Sequence, residues 1–329
     1  MSLDTSLIQT QLRPHFEKKL LTTAQHTLVF DQFARDGDLP RNIGRRTVRF
    51  FRREEADLSR PGAPIALTEG VAPTVSRDVT YQSVEVTLSQ RGQVAKVTDV
   101  VNHVGLLNYM NSTIFLMGQE CALDADSIIR DQLTAGLNKR YAGGFSTWAN
   151  LKAGAASAAR ITPQDVLDAA TQLRVNKAVP IQGKAFVLVV PPQVERDIRN
   201  NPEWQNMVRY QYADKLFNNE IGDLHGVRLV SHTNPFVEGA TEGTYTTNHS
   251  DADAVFSSYC LASEAYGVTK MASLGGSPFK PSIIINDKPD SLNPLAQYMT
   301  VGWKSYWGST VLNPKFGITL KSKTEFRAS

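Results

Sequence analysis

The longest helical pattern in the sequence sets the strongest limit on how this chain can fold. Apolar residues recur at steps of three and four from about residue 106 to residue 137, and no proline interrupts them. A helix of that length extends roughly 48 Å, whereas the mean helix of a globular domain has about 11–12 residues. The pattern therefore predicts a flat or elongated body built along one spine helix. Its predicted buried stripe comprises Leu107, Met110, Ile114, Met117, Cys121, Ala125 and Ile128.

The segment before this helix predicts a long two-stranded excursion. Residues 53–78 lose apolar periodicity and carry three prolines, which is typical of a long functional loop. Residues 84–88 alternate apolar and polar side chains, as a strand with one apolar face does. Residues 90–93 predict a turn into a return strand at 94–97. Because two-stranded ribbons are only marginally stable alone in water, this pair of strands is expected to need a partner surface.

A hydrophobic arm and a basic connector come first in the chain. Residues 6–33 carry apolar side chains at loosely helical spacing, broken by Pro14. Such an arm has little core of its own, so it packs either on the body or on a neighbouring subunit, and the sequence leaves both open. Within the connector, residues 47–51 have strand-forming side chains. The connector has no acidic residue before Glu54 and carries Arg41, Arg45, Arg46, Arg49, Arg52 and Arg53.

The rest of the chain predicts an α/β body closed by strands. Thr162 can cap a helix that begins at Pro163, and Asp165 approximates the acid of a capping box. A continuous apolar strand is predicted at residues 185–190, followed by a helix to about Arg199. The remaining predicted elements are a helix at 207–217, a strand at 227–231, a loop at 235–247, core segments at 254–262 and 267–272, and a closing antiparallel sheet at 298–326 with a turn at Asn313 and Pro314.

Composition excludes several classes of protein. The 329 residues carry a net charge of +3, too little to imply a nucleic-acid partner by itself. No apolar run reaches the ~18 residues of a membrane span, and the first residues lack a signal-peptide pattern. Cys121 and Cys260 have no partner at metal-ligand or redox spacing and are expected to be reduced and buried. We therefore expect a soluble protein that folds in a cytosol and has no membrane partner.

Candidate chemical sites are few. Phosphate-binding glycine loops, zinc-protease motifs and nucleophile-elbow motifs are absent from the sequence. His249, Asp251 and Asp253 alternate as metal ligands on one strand face would, but Asp and Asn residues more often cap turns. His225 and His232 are seven residues apart, which places them on opposite faces of a strand. No catalytic, cofactor-binding or metal-binding residue is therefore predicted, and no cofactor.

The arginine cluster at residues 41–53 has two interpretations. It can contact phosphates electrostatically, or it can pair with acidic residues of another subunit. Aromatic residues do not alternate with it at base-stacking spacing, which argues against a platform for single strands. Phe50 and Phe51 fit a strand that faces a partner. Because the cluster straddles the predicted strand at 47–51, which must lie against protein, we favour the interface role.

The order of these parts resembles the major capsid proteins of tailed bacteriophages, the family with the Hong Kong 97-like fold. That family has an N-terminal arm, an extended E-loop, a spine helix in a peripheral P-domain and an axial A-domain. The resemblance covers nearly the full chain. Short segments also resemble one subfamily: LTEGVAP at 67–73, VLVVPP at 187–192, NPL at 293–295, VGWK at 301–304 and VLNP at 311–314.

The resemblance implies an α+β fold and a division of the chain. Some relatives begin with a long cleavable scaffolding segment, whereas this sequence reaches its arm almost at once. Either a separate scaffolding protein exists or the segment has been removed, and we expect the first. Some relatives crosslink a lysine to an asparagine, but residues 47–93 contain no lysine and no crosslink is expected. The implied parts are an arm at 1–46, an E-loop at 47–99, a P-domain with the spine helix at 100–192, an A-domain at 193–280 and a return to the P-domain at 281–329.

The resemblance also implies a function: a non-enzymatic major capsid protein that self-assembles into an icosahedral shell around double-stranded DNA. Implied partners are copies of itself in hexamers and pentamers, a scaffolding protein, a portal protein, packaged DNA and an optional decoration protein, in a virion assembled in the host cytoplasm. Alternatives are the shell protein of an encapsulin-like nanocompartment, a soluble enzyme and a DNA-binding protein. Residues expected between subunits are Arg45, Arg46, Arg49, Phe50, Arg60, Glu69 and Arg91, and those that would face DNA are Arg41, Arg45 and Arg46.

Overall fold

The computed structural model describes most of the body of the chain. The described residues are 29–39, 46–53, 69–71, 81–104, 109–181, 185–210, 220–247, 253–271, 282–286, 289 and 293–326. Most of the predicted arm and of the long loop at 53–78 lies outside them. So do Arg41, Arg45, Arg60, His249 and Asp251.

The predicted spine helix is confirmed. Helix α1 covers Asp99–Val104, and helix α2 covers Tyr109–Gly136, 28 residues. Ile128 was predicted on the buried stripe but is only partly buried. After Ala125 the buried residues are four apart, at Ile129 and Leu133. The buried face therefore rotates slowly around the helix axis, and Ile128 lies at its edge. The residues that α2 buries most deeply are Ile114, Met117, Cys121, Ala125, Ile129 and Leu133.

A five-stranded sheet packs on α2, with its longest strand in the centre. Alternate residues of that strand, among them Val301, Trp303 and Trp307, form the first hydrophobic core together with α2. The central strand is β13 (Tyr298–Val311); β4 (Ser89–Thr98) pairs along one edge, β11 (Tyr266–Met271) and β12 (Ser282–Asn286) pair along the other, and β1 (Arg35–Leu39) runs parallel to β11.

The turn predicted at residues 90–93 is wrong, because β4 runs straight through it. All ten residues of β4 pair with β13, from Ser89 opposite Trp307 to Thr98 opposite Tyr298. Gly92 allows the backbones of β4 and β13 to lie close together, since a Cβ there would lie 2.6 Å from the carbonyl oxygen of Trp303. A ten-residue ladder with β13 outweighs the local turn preference of these residues.

A separate two-stranded ribbon precedes β4 in the chain. Strand β2 (Thr47–Arg53) pairs antiparallel with β3 (Tyr81–Thr87). This confirms the strands predicted at 47–51 and 84–88, but the partner of β3 is β2 and not the predicted return strand. Leu88 alone separates β3 from β4, so the chain passes directly from the ribbon into the large sheet.

A seven-stranded sheet forms the second part of the body. The strands predicted at 185–190 and 227–231 are confirmed, but the closing sheet predicted at 298–326 is wrong. Its two strands belong to different sheets, because a short 3-10 helix at Pro314–Phe316 carries the chain from one sheet to the other. The strand order is β5 (Asn138–Tyr141), β14 (Gly317–Ser322), β10 (Val255–Leu261), β6 (Phe186–Val190), β8 (Val227–Ser231) and β7 (Glu220–Leu224), with β9 (Phe236–Glu238) beside β10.

Short helices accompany the seven-stranded sheet, and several of them line a second core. The predicted capping box is confirmed: Thr162 accepts from the Asp165 N–H, and Asp165 accepts from the Thr162 N–H. The loop predicted at 235–247 is wrong in part, since β9 within it is buried and pairs with β10. The helices are α3 (Trp148–Ala153), α4 (Pro163–Val175), α5 (Pro192–Arg199) and α6 (Pro202–Tyr210).

The helix predicted at 207–217 begins earlier than expected, at Pro202. Proline suits the first turn of a helix because the amide it lacks would have no partner there. Asn201 supplies a cap, since its side-chain oxygen accepts from the Glu203 N–H over 2.9 Å. Among the described helices none is long and apolar enough to cross a membrane.

Candidate assembly interface

One face of the β2–β3 ribbon lies against its own subunit. Phe50 and Val86 pack with Leu312, just beyond the end of β13. The Phe50 ring fills the space next to Gly37 and Gly267, where a Cβ would lie within 3 Å of it. The sequence analysis assigned Phe50 to a contact between subunits, whereas the structure buries it within its own subunit. Two glycines on neighbouring strands make room for the ring, and no local pattern indicates that pairing.

The opposite face of the ribbon is exposed and carries aromatic residues. Phe51 is 60% exposed and Tyr81 is 62% exposed. Arg49 and Glu85 lie directly opposite each other on this face and form a cross-strand ion pair. Exposed ion pairs contribute at most about 1 kcal/mol. The pair therefore orients the two strands without holding them together, and the aromatic surface has no cover within the described subunit.

The other predicted interface residues are dispersed. Arg46 is exposed just before β2, and its carbonyl oxygen accepts from the Leu88 N–H over 2.8 Å. Glu69 is exposed in a short turn. Arg91 lies 3.3 Å from Asp124 of α2. Burial raises the pKa of Asp124, and the charge of Arg91 opposes that shift. The structure thus places Arg49 and Phe50 on opposite faces of the ribbon and Arg91 apart from them, against α2.

A buried polar cluster fixes the first described residues to α2. The Val29 N–H donates to Asp126 Oδ2 over 3.1 Å, and His232 Nε2 lies 3.0 Å from the same oxygen. The Asn234 N–H donates to His232 Nδ1. Nδ1 is therefore the accepting nitrogen, and Nε2 carries the ring proton and donates to Asp126. This arm anchor joins three parts of the chain that are far apart in sequence.

Phe30 completes the arm anchor. Its ring centroid lies 4.8 Å from that of His232 and 5.5 Å from that of Tyr259. The Tyr266 hydroxyl donates to the Phe30 carbonyl oxygen. Burial raises the pKa of Tyr266 well above its ordinary value of 10.0, and the charge of Asp126 adds to the shift. The hydroxyl therefore remains a donor over the whole physiological range.

Sequence reasoning missed the arm anchor. Its one visible signal is Asp126, an ionisable residue that is fully buried on a helix the pattern assigned to the core. A buried carboxylate needs partners, but those partners lie 97 and 106 positions away in the chain. The sequence left open whether residues 6–33 pack on the body or on a neighbouring subunit, and the structure packs Val29 and Phe30 on the body.

A second buried cluster holds the last strand in place. The Lys321 ammonium is fully buried, with Nζ at 2.6 and 2.9 Å from the two carboxylate oxygens of Glu238. It also lies 3.3 Å from Glu242. Trp148 Nε1 donates to Glu238 over 3.0 Å, and the Tyr141 hydroxyl donates to Glu242 over 3.1 Å. These bonds tie β14 to β9, β5 and α3.

Lysine charges govern the outer carboxylate of that cluster. Burial alone would raise the pKa of Glu242, but the hydrogen bond from Lys139 and the charges of Lys321 and Lys139 outweigh it and lower that pKa. Burial also raises the pKa of Tyr141 to about 12, with Glu242 adding to the shift. Every group of the cluster therefore has a charge or hydrogen-bond partner, as a buried ion pair requires.

The candidate chemical residues do not assemble into a site. Burial raises the thiol pKa of both Cys121 and Cys260 to about 12, so neither is a nucleophile at neutral pH. His225 occupies a left-handed turn, with φ of 55°, before β8, and His232 belongs to the arm anchor. Asp253 accepts from Lys323 over 3.2 Å. Within the described ranges no group of three His, Cys, Asp or Glu residues could hold a metal ion.

The subunit has a long helix on a sheet and a two-stranded ribbon whose aromatic face is uncovered. These features define a structural subunit built to contact other protein. Comparison with known families agrees, since residues 81–320 match the family described as phage capsid protein. The match spans more than half of the chain, and the chain belongs to the phage capsid protein family. No curated protein matches it.

Solved structures share the fold over nearly the full chain. The capsid of Ralstonia phage GP4 superposes with a TM-score of 0.64 over 92% of this chain and 93% of that chain, at 12% identity. The capsid of cyanophage P-SCSP1u gives 0.60 over 91% and 89%, at 13% identity. A virus-like particle from Pyrococcus furiosus gives 0.53 over 94% and 99%, at 10% identity. At these identities the likeness shows the fold alone.

The predicted α+β, Hong Kong 97-like fold and the predicted family are therefore confirmed. The chain is a phage capsid protein, a structural component of the virion that associates with copies of itself in the shell. A virus-like particle also has this fold. The family match, and not the fold, decides between the phage capsid and the nanocompartment alternative.

Proposed function

We propose that the exposed face of the β2–β3 ribbon is a principal contact between neighbouring subunits of the shell. The main support for this proposal is the pair of exposed aromatic side chains, Phe51 and Tyr81, on a ribbon whose other face is already packed. An aromatic side chain buries on the order of 150–250 Å² when it is covered. Aromatic residues are also enriched where protein interfaces are most deeply buried. A neighbouring subunit that covers this face buries both rings at once.

The predicted interface residues then take different parts in the contact. Phe50 acts from inside, because it fixes the ribbon on its own subunit. Arg49 and Glu85 are presented to the neighbour as one ion pair. Arg45 and Arg46 precede β2 in the sequence and Arg60 follows it, and they supply positive charge to the contact. Glu69 supplies negative charge, and Arg91 contributes from the side of α2. In the alternative role, Arg41, Arg45 and Arg46 face packaged DNA.

We infer that the chain is divided into the same domains as other members of the capsid family. The ribbon is the E-loop, and the pairing of β4 with β13 favours an E-loop that ends near residue 88 and not at 99. Residues 100–192 and 281–329 form the P-domain around α2, residues 193–280 form the A-domain, and residues 1–46 form the arm. The subunits associate in hexamers and pentamers, with a scaffolding protein, a portal protein, double-stranded DNA and an optional decoration protein as partners. Nuclease-protected double-stranded DNA in purified particles tests the genome assignment, and a protein cargo would contradict it.

The interface is tested by removing the two aromatic rings. The variant Phe51→Ser with Tyr81→Ser is expected to fold normally, because both side chains are exposed, and to lose shell assembly. Circular dichroism and the unfolding midpoint report folding, while sedimentation and negative-stain microscopy of protein expressed with its scaffolding protein report shells. Val94→Ser is the matched control, since Val94 is an equally exposed apolar residue on β4, away from the ribbon. Shells of the double variant at the yield of wild type would refute the proposal.

A further inference from the structure

The first half of α2 carries an apolar stripe on its exposed side. Phe115, Leu116 and Leu123 are 45%, 54% and 38% exposed, although the opposite side of the same helix is buried in the first core. Leu116 and Leu123 are seven residues apart, so they share one line along the helix. A helix with apolar residues on both sides has a second surface to cover.

The continuation of this line along α2 is covered. Asp126, Arg130 and Thr134 follow Leu123 at steps of three and four, and all three are buried. Arg130 Nη1 donates to the Asn234 side-chain oxygen over 2.6 Å. The line therefore changes from apolar and exposed to polar and covered between Leu123 and Asp126, within a single helical turn.

The arm anchor lies at Asp126, where the line along α2 becomes polar and covered. The Val29 N–H is bonded to Asp126, and Phe30 is buried beside it, so the chain that precedes Val29 departs from this point of α2. Leu123 lies about 4.5 Å from Asp126 along the helix axis, and Leu116 lies roughly 15 Å away. About five extended residues or ten helical residues cover that distance. The 28 residues that precede Val29 are more than sufficient.

The sequence before Val29 has an apolar series of its own. Phe16, Leu20, Ala24 and Leu28 recur at four-residue steps, the spacing of one helix face. The series ends at the residue next to Val29 and therefore at the start of the exposed stripe. Its length of three helical turns and a fraction, roughly 18 Å, is comparable to the stretch of α2 from Asp126 to Leu116.

Charge favours the same pairing. From Tyr109 to Asp124, α2 contains two acids, Glu120 and Asp124, and no lysine or arginine, although Asp124 is already in contact with Arg91. Residues 16–28 carry two cations, Lys18 and Lys19, against one acid, Glu17. A basic segment is therefore attracted to this half of the helix, and the attraction adds to burial of the apolar stripe.

We propose that residues 16–28 dock on the exposed stripe of α2 in their own subunit. Continuity of the chain through the arm anchor places this segment next to the stripe before any neighbour arrives. The docked segment covers Leu116 and Leu123 and sets the direction in which the rest of the arm leaves the subunit. The inference is independent of the ribbon contact, because a single unassembled subunit contains both surfaces.

Cysteine labelling of the unassembled, full-length subunit tests the docking. Leu116→Cys introduces a reporter on the stripe, and the natural Cys121 and Cys260 are fully buried. Maleimide labelling is expected to be slow in Leu116→Cys and at least about tenfold faster when Leu20→Asp and Leu28→Asp remove the buried apolar area. Thr22→Asp with His26→Asp is the matched control, since it adds two acids off the apolar series and is expected to label slowly.

Each other outcome overturns the proposal. Fast labelling in all three proteins would mean that the stripe is open, and slow labelling in all three would mean that something other than the arm covers it. Protection that increases with protein concentration would assign the stripe to the arm of a second copy. Disulfide formation gives a second measurement: oxidised Leu20→Cys with Leu116→Cys is expected to crosslink within one chain, and Leu20→Cys with Gln132→Cys, on the far side of α2, is not. Equal crosslinking of the two pairs would also contradict docking on the stripe.

Discussion

At the scale of single residues, the Lys321–Glu238 pair makes the subunit sensitive to a change of charge, because both groups are fully buried. Lys321→Met leaves the Glu238 carboxylate buried, with Trp148 as its remaining donor among the described residues. Removing one partner of a buried ion pair costs about 3–5 kcal/mol. The free energy of unfolding of the unassembled subunit, measured by denaturant titration, is expected to fall by that amount.

Two control variants separate the buried pair from ordinary surface electrostatics. Lys139→Met removes the partly exposed lysine that contacts Glu242 and is expected to cost at most about 1 kcal/mol. Lys321→Met combined with Glu238→Leu leaves no unpaired charge and is expected to cost less than Lys321→Met alone. If Lys321→Met were no more costly than Lys139→Met, the pair would not carry the stabilisation that its geometry implies.

At the scale of elements, the β4–β13 ladder depends on the absence of a side chain at residue 92. A Cβ at Gly92 would lie 2.6 Å from the Trp303 carbonyl oxygen, a backbone atom that cannot turn away. Gly92→Ala is therefore expected to push the two strands apart and to lower the free energy of unfolding by about 1–3 kcal/mol. Hydrogen exchange should show the loss in the amides of β4 and β13.

Gly239→Ala is the matched control for this substitution. A Cβ at Gly239 meets Thr246 at 3.4 Å, an ordinary contact, and the backbone there is not left-handed. Its expected effect on unfolding is within about 1 kcal/mol of zero. Equal effects of the two substitutions would show that the ladder tolerates the wider spacing and that Gly92 is not required.

At the scale of the whole molecule, substitution of the arginine cluster distinguishes between two roles that it can have in the shell. If Arg45 and Arg46 pair with acids of a neighbouring subunit, Arg45→Gln, Arg46→Gln and Arg49→Gln combined would leave those acids unpaired in an interface. Empty shells would then fail to form in the absence of DNA, which is the outcome we expect. If the arginines face DNA, they act by releasing counterions.

The structure supplies an internal control for this experiment. Arg49 already has Glu85 as a partner on its own ribbon, so Arg49→Gln with Glu85→Gln, which leaves no unpaired charge on that face, is expected to assemble normally. Particle yield without DNA is the first measurement, and DNA retention in filled particles is the second. Empty shells of the combined variant at wild-type yield, with poor DNA retention, would contradict the interface role and support the DNA-facing role.

The sequence by itself determined the elements whose signals are local. Apolar steps of three and four predicted α2 to within a few residues of its ends, and Thr162 with Asp165 predicted the start of α4. Alternation predicted β3, and the order of parts predicted the capsid fold. Periodicity and capping are properties of neighbouring residues, so they can be inferred before any partner is known.

Only the tertiary structure decided which strands pair and which buried charges meet. The partner of β4 lies about 200 positions later in the chain, and a Gln-Arg-Gly-Gln sequence that favours a turn locally became part of a ladder. Phe50 turned inward because two glycines from β1 and β11 face it. Asp126 and His232, like Lys321 and Glu238, meet through folding of distant segments. Such contacts depend on long-range packing, which no local window of sequence contains.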